Sequence, residues 1–241
     1  MTKLFNDGAG SFSAGGGGIS GSGGNTGGLS GDYFDIISTT GSTGSFFIGG
    51  TGTVSDAYHA ASSWYTTSTA NNNSYFRWSS RFGTITTSIY TTTAFRFTGN
   101  VPTASRILSV YNSAVATIAG WGVNASDKLI VFPSTGTTGA TSTASIPLDQ
   151  WVRVEMFCFS DASAGIITVR MYLEADSVTP TETFSLTSQN TRGGNIANVL
   201  IGAPTTQAYG GAVLYLGGMG ASDEGWFGSI QNQRTSSLLF V

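Results

Sequence analysis

The sequence has one cysteine, Cys158, among 241 residues. No disulfide can close within the chain, and no thiolate metal cluster can form. Histidine is equally scarce, with His59 alone in "DAYHAASSWY". A Ser-His-Asp triad would have to use it, and a zinc site of three or four His/Cys ligands cannot be assembled. Charge is sparse too. Charged residues make up 10% of the chain, against roughly a quarter in ordinary domains. The ten basic residues are scattered against thirteen acidic ones, so no patch matches a row of phosphates and no nucleic-acid partner is expected. No apolar run approaches the roughly 20 residues that span a bilayer. The opening residues lack a basic start followed by an apolar stretch, so the chain is expected to be made in a cytoplasm without a cleaved signal. Glycine-rich stretches are present, but none is followed by the Gly-Lys-Ser/Thr of a phosphate loop. No cofactor is expected.

Apolar residues make up 40% of the chain and aromatics 12%. That is enough for a core, and the opposite of a disordered composition. Helical periodicity is nearly absent. Short β-rich runs recur between Gly/Ser/Thr/Asn clusters, the pattern of an all-β domain. Strands are expected over 32–38, 44–48, 75–81, 93–98, 105–111, 115–123, 128–132, 151–159, 166–174, 198–201, 212–217 and 226–230, with a short helical turn within 55–63. A dozen short antiparallel strands imply two sheets packed face to face.

The best-defined piece is "WVRVEMFCFSDASAGIITVRMYLE". With Phe159 opposite Ile166, the residues Val152, Val154, Met156 and Cys158 face Leu173, Met171, Val169 and Ile167. A slip of one residue would turn that apolar set outward, which fixes the register. The other face pairs Trp151 with Glu174, Arg153 with Tyr172 and Glu155 with Arg170. The last is expected as a cross-strand ion pair.

Paired carboxylates would serve a glycosidase. Glu155, Glu174 and Asp176, and the adjacent Asp223 and Glu224, are the acids to weigh. None forms a closely spaced set on one strand, and no catalytic residue is assigned. "SDAS" at 160–163 and "NASD" at 124–127 offer oxygens for calcium, but both read more simply as turns, so no metal site is assigned. Aromatics suggest a sugar platform instead. Trp64 and Tyr65 in "SSWYTT", and Trp121 between Gly120 and Gly122, are the candidate glycan contacts. In "NNNSYFRW", Phe76 and Trp78 share one face and read as core.

"NTGGLSGDYFDII", "YHA", "SYFRWSSRF", "VPTASRILSVYN", "WVRVEMFCF", "GIITVRMYLE" and "GWFGSI" follow one another in order. In that order and spacing the chain, over about 4–230, resembles the laminin-G-like, concanavalin A-like jelly-roll proteins of actinobacterial tailed bacteriophages, usually minor tail or virion-surface proteins. The resemblance implies a jelly-roll sandwich over 32–230 and residence on a virus particle, on capsid or tail, after synthesis in the host cytoplasm. The implied partners are other virion proteins, further copies of the chain (a trimer among the symmetric options), and host-surface glycan. It supplies no catalytic residues. Where relatives carry acids before the closing Gly-Trp, this chain has Gly217 and Gly218, so no ligand or metal role is carried over.

Two ends remain. Residues 8–31 are half glycine, with Phe12, Ile19 and Leu29 as the large apolar members. They read as an arm (residues 1–31) whose three anchors dock on neighbouring subunits, or as a long loop on the chain's own domain. Ordering such a run costs about 1–2 kcal/mol per residue. The extension 231–241 ends in Leu238, Leu239, Phe240 and Val241, either a last strand or a plug for a partner, with the first three as docking anchors.

Overall fold

The computed structural model describes residues 3–6, 21–22, 34–39, 45–49, 63–67, 74–79, 86–102, 104–114, 116–134, 136, 138–203 and 212–229. Within them the chain is all β. Its strands begin with β1 (Lys3–Asn6), β2 (Gly21–Ser22), β3 (Ile36–Thr39), β4 (Ser45–Gly49), β5 (Ser63–Thr67), β6 (Ser74–Ser79), β7 (Ser88–Thr98) and β8 (Ala104–Asn112). They continue with β9 (Thr117–Asn124), β10 (Lys128–Pro133), β11 (Ala140–Ser145), β12 (Val152–Phe159), β13 (Gly165–Tyr172), β14 (Glu182–Gln189), β15 (Ile196–Ala203) and β16 (Val213–Ser222).

The strands form two eight-stranded sheets. The first runs β14-β13-β12-β7-β16-β5-β4, with β1 also paired to β16; the second runs β11-β10-β9-β8-β15-β6-β3-β2. Every strand pairing within them is antiparallel. The inner faces merge into one core that includes Phe76, Trp78, Phe95, Phe97, Trp121, Val154, Met156 and Leu216. Phe95 of β7 meets Trp121 of β9 at 5.3 Å across it. Among the described residues no helix is long and apolar enough to cross a membrane.

The hairpin β12–β13 takes the register that its apolar alternation dictates. Phe159, Cys158, Met156 and Val154 lie opposite Ile166, Ile167, Val169 and Met171. Along β13, Ile167, Val169 and Met171 are buried, while Ile166, Thr168 and Arg170 are half-buried. β7 is longer than its apolar residues suggest. It sits mid-sheet with both faces covered, so "SIYTTTAFRFT" is buried almost throughout and loses its alternation. Two further corrections concern the elements. β11 and β14 are edge strands that the sequence reading passes over, because "ATSTAS" has no large apolar residue and "ETFSLTSQ" only two. The strand expected over 226–230 does not form in its described part, 226–229, which turns back over the first sheet. Within 1–31, Lys3–Asn6 and Gly21–Ser22 pair into the two sheets, so the leading stretch is joined to the sandwich at those points. The helical turn expected within 55–63 falls outside the described residues, apart from Ser63 in β5.

Candidate functional site

The outer face of the first sheet gathers most of its charged and aromatic side chains on the central strands. One cross-strand row runs Arg170, Glu155, Thr92 and Gly220 through β13, β12, β7 and β16. The next runs Tyr172, Arg153, Ala94 and Gly217. Phe157 lies opposite Tyr90 on one side of these rows, and Arg96 opposite Tyr215 on the other. The β strands thus place long side chains on β12 and β13 beside short ones on β7 and β16.

Arg153 and Glu155 are both fully buried. Arg153 Nε lies 3.6 Å from Glu155 Oε1. The Tyr172 hydroxyl donates to Glu155 Oε2 at 3.1 Å, and the Arg153 guanidinium sits 3.9 Å from the Tyr172 ring centre. Burial, then the negative charge of Glu155 and the hydrogen bond to it, raise the Tyr172 hydroxyl above the usual phenol range. Residues 173–181 strap this network down. Arg153 donates through its second terminal nitrogen to the Ser177 carbonyl at 2.8 Å. Ala175 packs with Ala94 and Trp151, and its amide donates to the Trp151 carbonyl.

A second strap follows β16. Trp226 stacks on the Arg170 guanidinium at 3.9 Å and meets Tyr90 edge-on at 5.2 Å. Tyr90 in turn tilts against Phe157 at 4.8 Å. Phe227 presses on Gly220, where an added Cβ would come within 2.5 Å of its ring. Glycine is required there for the strap to close. Trp226, Arg170, Tyr90 and Phe157 are all half-buried.

The ion pair expected between Glu155 and Arg170 is replaced. The two residues are opposite each other, but Glu155 binds Arg153 and Tyr172, and Arg170 turns to Trp226. The burial of the face decides this, since a buried carboxylate takes the partners that seal it. Trp121 is not a glycan contact: it is 0% exposed and belongs to the core. Trp64 and Tyr65 lie in β5, where the register sets Trp64 opposite Leu216 and Tyr65 opposite Tyr215. Phe76 and Trp78 are core residues, as their shared face suggests, and both stack with Phe34. His59 and the anchors Phe12, Ile19, Leu29, Leu238, Leu239 and Phe240 lie outside the described residues.

The two turn sequences do what turns do. Asp161 Oδ1 accepts from the amides of Ser163 and Ala164, which hold its carboxyl below the usual carboxylate range. Asn124 Oδ1 accepts from the amides of Ser126 and Lys128. Among the described residues no three His, Cys, Asp or Glu side chains gather as a metal site. Glu174, Asp176 and Glu224 are exposed and Asp223 is half-buried.

The residues that sequence reading missed are Tyr90, Thr92 and Trp226. Alternation along β7 does put Tyr90, Thr92, Ala94 and Arg96 on one face. Their meeting with β12 depends on a pairing between segments about sixty residues apart, which no local pattern encodes.

No protein-family model matches the chain. No curated protein matches it either. Among solved structures it is similar to the cellulose induced protein Cip1, with a TM-score of 0.54 and 13% identity over 80% of this chain and 93% of that one. It is also similar to a botulinum neurotoxin type C structure concerned with interaction with two ganglioside molecules, with a TM-score of 0.51 and 10% identity. That match covers 86% of this chain and 48% of that one, so the chain spans about half its length. At such identity the likeness concerns the fold alone. The fold is a concanavalin A-like, jelly-roll β-sandwich. These likenesses carry no link to bacteriophages.

Proposed function

We propose that the chain is a structural, non-catalytic protein of the surface of a tailed-phage particle, a minor tail or capsid decoration protein. It attaches by contacts with other virion proteins and with further copies of itself, as a trimer or another closed cluster, and presents the sandwich to the host surface. The observation that carries the reading is the state of Glu155. It is the carboxylate nearest the centre of the outer face, and it is fully buried, bound to Arg153 and Tyr172. A general acid must reach its substrate within a hydrogen bond, and this one is sealed. Glu182 and Asp161 are likewise engaged in holding backbone amides. The low charge and the ordered run of phage-like motifs support the placement on a particle.

Imaging of purified particles tests this. Antibody to the chain should decorate the capsid or the tail, and extracts should release no reducing ends from host polysaccharide. A chain missing from particles, or a turnover abolished by Glu155→Gln, would overturn it.

A second reading, a glycan-binding module for host recognition, is favoured by the half-buried cluster of Trp226, Arg170, Tyr90 and Phe157. An indole with a guanidinium on one face stacks readily on an apolar sugar face. Host cell-wall polysaccharide should then quench tryptophan fluorescence saturably, and Trp226→Ala should remove the response. An unchanged response in Trp226→Ala excludes that cluster.

A further inference from the structure

β14 is the outer strand of the first sheet, and among the described residues no strand but β13 pairs with it. An edge strand presents a row of unpaired amides and carbonyls, and proteins usually blunt it with a lysine, a proline, a bulge or short length. β14 runs for eight residues, Glu182–Gln189, and holds neither lysine nor proline. Its one charge, Glu182, is turned to β11, where it binds the amides of Thr143 and Ala144. That carboxylate guards the edge of β11 and not its own. The irregularity of β14 comes late. Residues 182–186 keep one register against β13, the shift falls after Leu186, and Ser188 takes a φ of 55°.

The stretch before that shift complements itself when reversed. "TFSLT", residues 183–187, reads hydroxyl, apolar, hydroxyl, apolar, hydroxyl from either end. Phe184 and Leu186 lie opposite Val169 and Ile167 of β13, half-buried and packed against the core. Thr183, Ser185 and Thr187 are exposed. The Ser185 hydroxyl lies 3.2 Å from that of Thr168, so a hydroxyl row already runs from β13 to the edge. We infer that β14 pairs with β14 of a second copy of the chain, antiparallel about a twofold axis at Ser185. The axis stands perpendicular to the sheet, so inner faces stay inner. Phe184 then lies opposite the partner subunit's Leu186, Thr183 opposite the partner subunit's Thr187, and Ser185 opposite the partner subunit's Ser185. Apolar meets apolar, hydroxyl meets hydroxyl, and no charge opposes its like. The two eight-stranded sheets join into one across the axis. A twofold contact requires one patch to fit itself, a constraint that pairing with a foreign strand does not impose and that this stretch meets. The inference rests on the self-association in the reading above and assigns it a surface.

Sedimentation velocity of the full chain tests it. The wild type should form a dimer whose population rises with concentration. Ser185 is exposed, so Ser185→Lys and Ser185→Glu should leave the fold intact, and circular dichroism with thermal melting checks that. Each variant sets like charges face to face at the axis, and each alone should weaken the dimer at least about tenfold. An equimolar mixture of the two should recover it, because lysine then faces glutamate, and the recovery should fade with added salt. A wild type that stays monomeric at every concentration overturns the pairing and leaves the placement on a particle to the imaging. A dimer that persists in both variants overturns β14 as its seat while self-association stands. Variants that are monomeric both alone and mixed overturn the register about Ser185.

Discussion

Trp121 shows how a residue's neighbours can mislead. Its flanking glycines suggest a ring standing clear of small side chains. They mark crowding instead. A Cβ on Gly122 would fall 1.8 Å from the Ser105 carbonyl oxygen, and one on Gly120 would fall 2.5 Å from that of Leu108. The glycines let β8 approach on the outer side while the indole points inward against Phe95. Trp121→Ala should therefore cost about 3–5 kcal/mol of stability, the usual range for a large aromatic removed from a core. Chemical denaturation of the folded chain measures it. A loss within the range of surface substitutions, about 0.5 kcal/mol, would contradict the placement. Cys158 offers a second residue-scale test. It is fully buried, and burial pushes its thiol up to about 12. The thiolate is the reactive form, so at neutral pH a thiol reagent should label the chain only as denaturant unfolds it. Immediate labelling of the native chain would show Cys158 to be open to solvent.

Among the elements, the two edge strands β11 and β14 meet at the side of the sandwich. Glu182 of β14 accepts from the Thr143 amide and hydroxyl and from the Ala144 amide on β11. One carboxylate thereby caps an open sheet edge and ties it to the other sheet, which also discourages edge-to-edge pairing. Desolvation alone would raise its pKa. The hydrogen bonds from Thr143 and Ala144, with the charge of Lys128, outweigh it and hold the group below the usual Glu range. A carboxyl depressed by folding stabilises the fold above its unfolded value of 4.5 and loses that contribution as pH falls through the folded value. Glu182→Gln should thus be destabilising at neutral pH, by no more than about 1 kcal/mol given its exposure, and should converge with the wild type in acid. Paired pH–stability curves check this, and parallel curves would remove the latch. The β12–β13 hairpin was legible in every pairing that the structure records, because its alternation admits one register and its ends are adjacent in sequence. The outer-face site was legible only in part. Arg153, Glu155 and Tyr172 could be placed on one face, but Thr92, Ala94, Gly217 and Gly220 come from strands that reach them through long-range pairing. Glu155 therefore looked like the partner of Arg170, and the strap that brings Trp226 over Arg170 left no periodic trace.

At the scale of the whole molecule, the described sandwich is closed by joining early and late strands. β1 pairs with the second half of β16, Leu4 opposite Ala221 and Phe5 opposite Gly220, while the first half of β16 pairs with β5 along the same edge. On its other edge, against β7, the register of β16 shifts between Gly217 and Gly220. A strand of four residues has little stability of its own, so β1 must be held by what it buries. Leu4 supplies that: it is 6% exposed and belongs to the common core. Leu4→Ala should cost about 2–5 kcal/mol, as for other buried leucines. The loss should not stay local. Without β1, the edge of β16 from Met219 to Ser222 is bared, in the stretch that includes Gly220 and leads into the Trp226 strap. Hydrogen exchange should then accelerate at Met219–Ser222 together with residues 223–229, while β8 to β10 in the opposite sheet keep their protection. Global unfolding with uniform acceleration would mean that β1 supports the whole core equally, and a silent Leu4→Ala would mean that the pairing of β1 with β16 does not hold the sheet.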